Sequence, residues 1–432
     1  MQQLNLNGLR LGVSSAATQI EGGDVDHSWA EWARRGHIRD GASPARANDH
    51  YRRFPEDASL MQSLGIRHYR LGVEWARIEP EPGRFDEAAI EHYRAELSDL
   101  RARGIEPLVT LHHFTNPMWF ERMGAFERAE NLPHFLRFAE HVVRAFGDLA
   151  AEYITINEPN VYAANGYFFG LWPPGVSSLR RTLRVMSVLT AAHLSCYGMI
   201  HRVRAELGLA GTKVAFANHL RVFAPAREAS PLHRAFASIA DRFFQGSLSV
   251  AMTTGRIAFP LRRISRLPVG RYCDFHAVNY YTRSTVSGLA DGVRAGVPVN
   301  DLGWEIYPAG IVQCAARMHA LCPLPIYITE NGVCDNQDAY RCRYIYEHLK
   351  ALLESGLPVE RYYHWCFTDN FEWAEGESAR FGLVHVDYDT QARTVKRSGR
   401  FFAAMIAAGG VDAALYDAYV KPCTYPTNGG GR

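Results

Sequence analysis

The sequence predicts a (β/α)8 barrel, a closed ring of eight parallel strands with helices packed outside it. Three observations predict it. Eight short runs of apolar residues punctuate the chain, longer amphipathic stretches separate them, and polar residues recur where the runs stop. A doubly wound open sheet alternates in the same way, but it often carries a glycine-rich phosphate loop after its first strand. Here the first run leads into "SSAATQIEGG", which has no G-x-G-x-x-G.

The strand runs come in order. They are "LRLGVSSAA" (9–17), "HYRLGVEW" (68–75), "EPLVTLHHF" (106–114), "EYITINEPN" (152–160), "KVAFANHL" (213–220), "FHAVNYYT" (275–282), "PIYITENGV" (325–333) and "YYHWCFTDNF" (362–371). Helical spacing marks 86–104, where Ala89, Ile90, Tyr93, Leu97 and Leu100 recur. It also marks 131–147, through Leu132, Phe135, Leu136, Ala139, Val142, Val143 and Phe146. No repeat or low-complexity linker divides the chain, so residues 1–432 are expected to form one catalytic barrel with long loops. The tail 425–432 is expected to fray.

Bulk composition narrows the function. The chain is 47% hydrophobic and 21% charged, with 47 Lys and Arg against 45 Asp and Glu. That near-balance gives no global case for nucleic acid or a membrane surface as partner. The basic clusters "LRRTLRV" (179–185) and "LRRISR" (261–266) read as solvated faces. The eight cysteines lack C-x-x-C or zinc-ligand spacing, so no metal is expected and a reducing, cytoplasmic setting is. The first residues show no signal-peptide pattern, and no run of about 18 apolar residues spans a membrane.

One stretch, "YITINEPN" (153–160), poses the chemical question: a strand-forming run stops on a carboxylate, Glu158. A carboxylate there is costly to bury and must be hydrated, paired or used. In a barrel of this kind chemistry sits at the C-terminal strand ends. Gln19 and Glu21 follow strand 1. Arg70 lies on strand 2, His112 and His113 end strand 3, and Asn157 and Glu158 end strand 4. Asn279, Tyr280 and Tyr281 end strand 6, and Glu330 ends strand 7. Strand 8 leads from Trp365 to Asp369, Asn370, Glu372 and Trp373. Amides, carboxylates and indoles on one face suit a sugar. Two carboxylates facing across the mouth, Glu158 and Glu330, suit glycoside hydrolysis. Arg70 and Tyr281 favour an ionised Glu330. Glu158 lacks an evident cationic neighbour, so burial and the charge of Glu330 are expected to raise its pKa. His112 and His113, adjacent on a strand, point to opposite faces and do not ligate a metal together. His113 is read as a hydroxyl donor and His112 as packed.

At these residues the chain resembles glycoside hydrolase family 1, the β-glucosidase family. "TINEP" (155–159) is similar to its acid/base motif, "ITENG" (328–332) to its nucleophile motif and "DNFEW" (369–373) with "RFGLVHVDY" (380–388) to its sugar-binding motif. "QIEGG" (19–23), "DHYRRFPEDASLM" (49–61), "HYRLGVEWARIEP" (68–80), "NYYT" (279–282) and "GWEIYP" (303–308) continue the match in family order. The resemblance implies a retaining β-glycosidase that needs no cofactor. Glu158 would be the acid/base, Asn157 would hold the 2-hydroxyl, and Glu330 would be the nucleophile, oriented by Arg70 and Tyr281 beside Asn279. Gln19, His113, Glu372 and Trp373 would bind sugar hydroxyls, with Trp365 as the floor and Trp304 on the aglycone side. The carboxyl separation would be about 5–5.5 Å. A cis non-proline peptide after Trp365 is also implied. Thr18, Phe114, Ala277, "CFT" (366–368) and Glu377 depart from the family pattern without touching the carboxylate pair. The substrate is expected to be a small β-glycoside or oligosaccharide. The alternatives are a 6-phospho-β-glycosidase, a glycosyl-transferring enzyme and a sugar-binding barrel without catalysis. Glu372 argues against the phosphate reading, because a carboxylate repels phosphate. Aglycone, chain length, sugar epimer and oligomeric state are left open.

Overall fold

The structure, a computed structural model, describes residues 4–288 and 291–429. Eight parallel strands close into a barrel: β1 (Arg10–Ser14), β2 (His68–Gly72), β3 (Glu106–Thr110), β4 (Glu152–Asn157), β5 (Lys213–Pro225), β6 (His276–Val286), β7 (Ile326–Asn331) and β8 (Val359–Trp365). Neighbours in sequence pair in space, β8 pairs with β1, and β5 pairs with β6. All eight expected strands are present. Most end earlier than their apolar runs, because loops and short helices take over at the polar residues. Gln19 therefore sits on a helical turn, Ala17–Ile20, after β1.

The two helices that hydrophobic spacing placed, at 86–104 and 131–147, are present as Glu87–Ala102 and Leu132–Phe146. In chain order the helices include α1 (His50–Ser63), α2 (Glu87–Ala102), α3 (Leu132–Phe146), α4 (Pro159–Ala163), α5 (Leu179–Glu206), α6 (Pro231–Asp241), α7 (Pro308–Leu321), α8 (Arg341–Glu354) and α9 (Arg397–Ala408). Helix α2 starts at Asp86, whose carboxylate accepts from the Ala88 and Ala89 amides. Such a cap is worth about 1 kcal/mol. Its buried stripe includes Ala89, Ile90, Tyr93, Leu97 and Leu100. Helix α5 has 28 residues and an apolar window with mean hydropathy 1.2, but 72% of that window is buried inside the molecule. Its apolar surface packs as a core helix does.

The barrel interior is layered. Leu108, Ile154, Ala215, Ala217, Ala277, Tyr327 and Tyr363 form a packed apolar middle. Below it Arg361 grips Glu152, Nη1 to Oε2 at 2.5 Å and Nη2 to Oε1 at 3.0 Å. Above it stand Arg70, Asn157, Asn279 and Glu330. The β4–β5 register shifts between Ile154 and Asn157, and the β6–β7 register between Val278 and Asn279. Bulges of this kind re-aim side chains, and both lie at the polar end.

The tail departs from expectation. Residues 425–429 do not fray. Tyr425 Oη donates to Glu347 Oε2 at 2.9 Å, and the Val299 and Asn428 amides bond across to Pro426 and Val297 carbonyls at 2.9 Å each. Residues 430–432 lie outside the described residues.

Candidate active site

Strand β4 ends and the chain turns sharply. Glu158 takes the left-handed backbone conformation, φ 41°, directly before Pro159 opens α4. The Glu158 side chain makes no capping hydrogen bond to that helix. The ordinary structural use of a carboxylate there is thus absent, and the side chain is aimed elsewhere. Phe114 (φ 65°) and Trp373 (φ 53°) are left-handed as well, and their rings pack edge to face with centroids 5.3 Å apart. Each such residue costs roughly 1 kcal/mol or more, and such strain gathers at functional sites. The Trp365–Cys366 peptide is cis.

Glu330 and Glu158 are 3% and 5% exposed and belong to one hydrogen-bond chain. Arg70, fully buried, donates from Nη1 to Glu330 Oε1 and from Nη2 to Asn157 Oδ1, both at 2.6 Å. Its Nε donates to Thr110 Oγ1 at 3.1 Å. Tyr281 Oη donates to Glu330 Oε2 at 2.6 Å. Asn279 Nδ2 donates to Asn157 Oδ1 at 3.0 Å and to Glu158 Oε1 at 2.8 Å, and Thr329 Oγ1 donates to Asn279 Oδ1 at 2.7 Å. Two of these donors, Arg70 and Asn279, are fixed by partners of their own, Thr110 and Thr329. Among the described residues nothing bonds Glu158 Oε2.

The sequence reading of Glu158 needs one correction: it does have a ring nitrogen against it. His219 Nδ1 lies 3.1 Å from Glu158 Oε1, while Arg221 Nη2 faces His219 Nε2 at 3.3 Å. A guanidinium only donates, so Nε2 accepts and the ring proton sits on Nδ1, aimed at Glu158. Burial pushes Glu158 up, but His219 and Asn279, with Arg70 beyond them, bring its carboxyl below the ordinary value. Burial raises Glu330, Arg70 lowers it and the charge of Glu158 raises it, leaving about 7. Hydrogen bonds thus lower Glu158 while burial and the charge of Glu158 raise Glu330, directions opposite to those expected. The two groups titrate as a pair.

The remaining sugar-pocket candidates converge beside this pair. The His113 ring stacks between Trp365 and Trp373, with centroids 5.9 and 5.8 Å away. Asn157 Nδ2 donates to His113 Nε2 at 2.9 Å, which leaves Nδ1–H without a partner. Burial, with Arg70 nearby, holds that ring well below its usual pKa, so it stays neutral. Gln19 Nε2 donates to Phe371 O at 2.9 Å and to Glu372 Oε2 at 3.2 Å, and its Oε1 is buried and unpaired. Burial and then the charge of Glu330 push Glu372 to about 8. A protonated Glu372 repels phosphate less than its formal charge implied. Trp304 is 38% exposed and its ring stands 6.0 Å from that of Tyr281. His112 turns the other way, bonded to Asn116 Oδ1 at 2.9 Å and enclosed by Phe126, Phe135 and Tyr162. Thr18, at one departure from the family pattern, bonds Glu74 Oε2 and Thr115 Oγ1 at 2.6 Å each.

Buried, unpaired donors and acceptors around two coupled carboxylates fit a polyhydroxylated ligand. No group of His, Cys, Asp and Glu among the described residues could hold a metal ion.

Comparison with known proteins agrees with this chemistry. The model of glycosyl hydrolase family 1 matches residues 6–411. Beta-glucosidase A of Thermotoga maritima is 30% identical over 443 residues, covering 94% of this chain and 98% of that protein. The solved beta-glycosidase from Pyrococcus horikoshii superposes with a TM-score of 0.87 at 32% identity, covering 97% of this chain and 98% of that one. The Thermotoga maritima beta-glucosidase solved with glucoimidazole gives 0.85 at 28% identity, over 94% and 100% of the two chains. Alike in sequence over nearly its full length, and alike in barrel architecture, the chain belongs to glycosyl hydrolase family 1 and is a retaining β-glycosidase.

Proposed function

We propose that the protein removes terminal non-reducing β-D-glucosyl residues from small β-glycosides, with Glu330 as nucleophile and Glu158 as acid and then base. In the first step Glu330 forms a bond to the anomeric carbon. The bond from that carbon to the leaving oxygen breaks, and the proton of Glu158 passes to that oxygen. In the second step Glu158 takes a proton from water, the water oxygen bonds the anomeric carbon, and the bond to Glu330 breaks. Two inversions return the β configuration.

One observation carries this assignment: the unequal holding of the two carboxylates. Glu330 has a donor on each oxygen, which fixes it for attack. Glu158 is held through Oε1 alone, which leaves Oε2 for a leaving group. The proton has to move to Glu158 when substrate binds. A glycosidic oxygen over Oε2 dries that carboxyl and raises it. Positive charge developing at the anomeric carbon favours an ionised Glu330. Asn157 keeps one N–H for the 2-hydroxyl. His113 Nδ1–H, Gln19 Oε1 and Glu372 supply opposite hydrogen-bonding senses for the other hydroxyls, over the faces of Trp365 and Trp373. All eight cysteines are free thiols, seven of them buried, which supports a reducing, cytoplasmic setting.

Substitution tests the roles. Glu330→Gln is expected to lower turnover of an aryl β-glucoside by more than about a thousandfold, and near-normal turnover would end the nucleophile assignment. Glu158→Ala is expected to be far less harmful for a dinitrophenyl leaving group than for an alkyl one, because only the latter needs protonation. A panel of aryl β-glucoside, galactoside, fucoside and 6-phosphoglucoside fixes the sugar. Product analysis with an added alcohol measures transfer against hydrolysis.

A further inference from the structure

The near-zero net charge of this chain hides a segregation. Residues 179–271 hold fifteen Lys and Arg against three Asp and Glu. Of the twelve most exposed large apolar side chains among the described residues, eleven lie between 168 and 269. Cationic and apolar groups at this density in one stretch of chain are not a generic composition, and part of them gathers on the surface.

They meet on one face. Phe259, 72% exposed, separates two cavities. One, of about 280 Å³, has Arg242 and Arg256 in its wall. The other, of about 780 Å³, is lined by Arg180, Arg184, Arg262, Leu179 and Ile264. Arg242 Nη2 donates to Phe259 O at 3.1 Å, and the Arg262 amide donates to Ser187 Oγ at 3.0 Å, which ties this loop to α5. The five arginines are exposed and form no ion pair among the described residues. Of the carboxylates in these walls, Asp241 is held by Arg317 and Glu127 by Arg181, each at 2.5 Å, and Glu130 stands exposed at the rim. A third cavity, of about 430 Å³, shares Leu179 and Leu183 with the second and is walled by Phe168, Phe169, Ile239 and Phe243.

We propose that this face docks the protein onto an anionic lipid surface. Leu179, Ile239, Phe259 and Ile264 enter the boundary between headgroups and acyl chains, and the five arginines pair with headgroup phosphates and carboxylates. Two other partners fit less well. A second copy meeting face to face would set arginine clusters against each other. Nucleic acid would use the arginines but leave the apolar side chains in water. The third cavity opens beside this face and includes Arg221, which bonds His219 next to Glu158. The docking does not rest on the glycosidase reading.

Sedimentation of the full-length protein with phosphatidylcholine vesicles, with and without about a quarter phosphatidylserine, tests it. The bound fraction is expected to rise at least tenfold with phosphatidylserine at about 50 mM NaCl and to fall away at about 500 mM. Arg180→Glu with Arg262→Glu weakens binding by at least fivefold per arginine. Phe259→Ser weakens it while keeping the salt dependence. All variants keep aryl glucoside turnover, which shows that they fold. Absent binding, equal binding to both vesicle types, or binding indifferent to these substitutions overturns the proposal. So does a dimer, or a complex with a short DNA duplex, that the same substitutions abolish while vesicles stay unbound.

Discussion

Two arginine–glutamate pairs are buried in the barrel, one at each end, and they are built differently. At the floor Arg361 gives both terminal nitrogens to Glu152, in the bidentate arrangement that matches a guanidinium to a carboxylate. At the mouth Arg70 divides itself, with one nitrogen to Glu330, one to Asn157 and Nε to Thr110. The first pair meets charge with charge through two hydrogen bonds, and Arg361 adds a bond to Tyr363 Oη at 3.2 Å. The second fixes the carboxylate's position, yet leaves its charge incompletely answered and its pKa near neutrality. The same two residue types make a structural clamp in one place and a reactive group in the other. The number of hydrogen bonds between them decides which.

Substitution separates the two ends. Arg70→Met is expected to lower kcat/KM for an aryl β-glucoside by about a thousandfold, through loss of a preorganised cation at Glu330, the proposed nucleophile. Arg361→Met leaves the partly buried Glu152 with only Lys213, 3.6 Å away, as a cation and is expected to cost about 1–3 kcal/mol of stability in chemical denaturation. Its kcat, measured where the protein is folded, stays within about twofold of the parent, since nothing at the mouth moves. Equal losses of kcat in the two variants would erase the distinction. His219→Phe removes the donor to Glu158, so Glu158 holds its proton to higher pH and the alkaline limb of kcat/KM moves up. An unmoved limb would mean that His219 does not bear on the acid.

The smallest expected effect concerns carboxyls that burial raises, about 7 for Glu74 and about 8 for Glu372. Their folded values exceed the unfolded one, so the folded state binds more protons between about pH 4.5 and these values. The stability they add is present below that window and is lost as pH rises through it. Calorimetry is expected to give a lower Tm at pH 8 than at pH 5, and Glu74→Gln is expected to flatten that slope.

The barrel was legible because each strand is a compact apolar run and each bordering helix has a 3.6-residue stripe. Glu158 and Glu330 stood out for a local reason, a charge stopping an apolar strand. His219 was missed because its partner lies 61 residues away in sequence. A sign of it was available: "KVAFANHL" also ends on polar residues, Asn218 and His219, at the mouth end of β5. The lowering of Glu158 was missed for the same cause, since a hydrogen bond across strands is invisible in either strand alone. The tail looked frayed by composition, whereas Tyr425 and the backbone around Val299 hold it. The basic clusters at 179–185 and 261–266 were legible and read as solvated faces, whereas their gathering with Leu179, Phe259 and Ile264 around one cavity shows only in three dimensions.

The packed middle layer has a kinetic consequence. Tyr327, Tyr363 and Ile154 have no solvent exposure and plug the cylinder beneath Glu330. The glycone chamber is therefore a cul-de-sac. On the proposed mechanism no water reaches Glu330 through the packed floor formed by these described residues, so the water of the second step enters from the mouth end of the barrel.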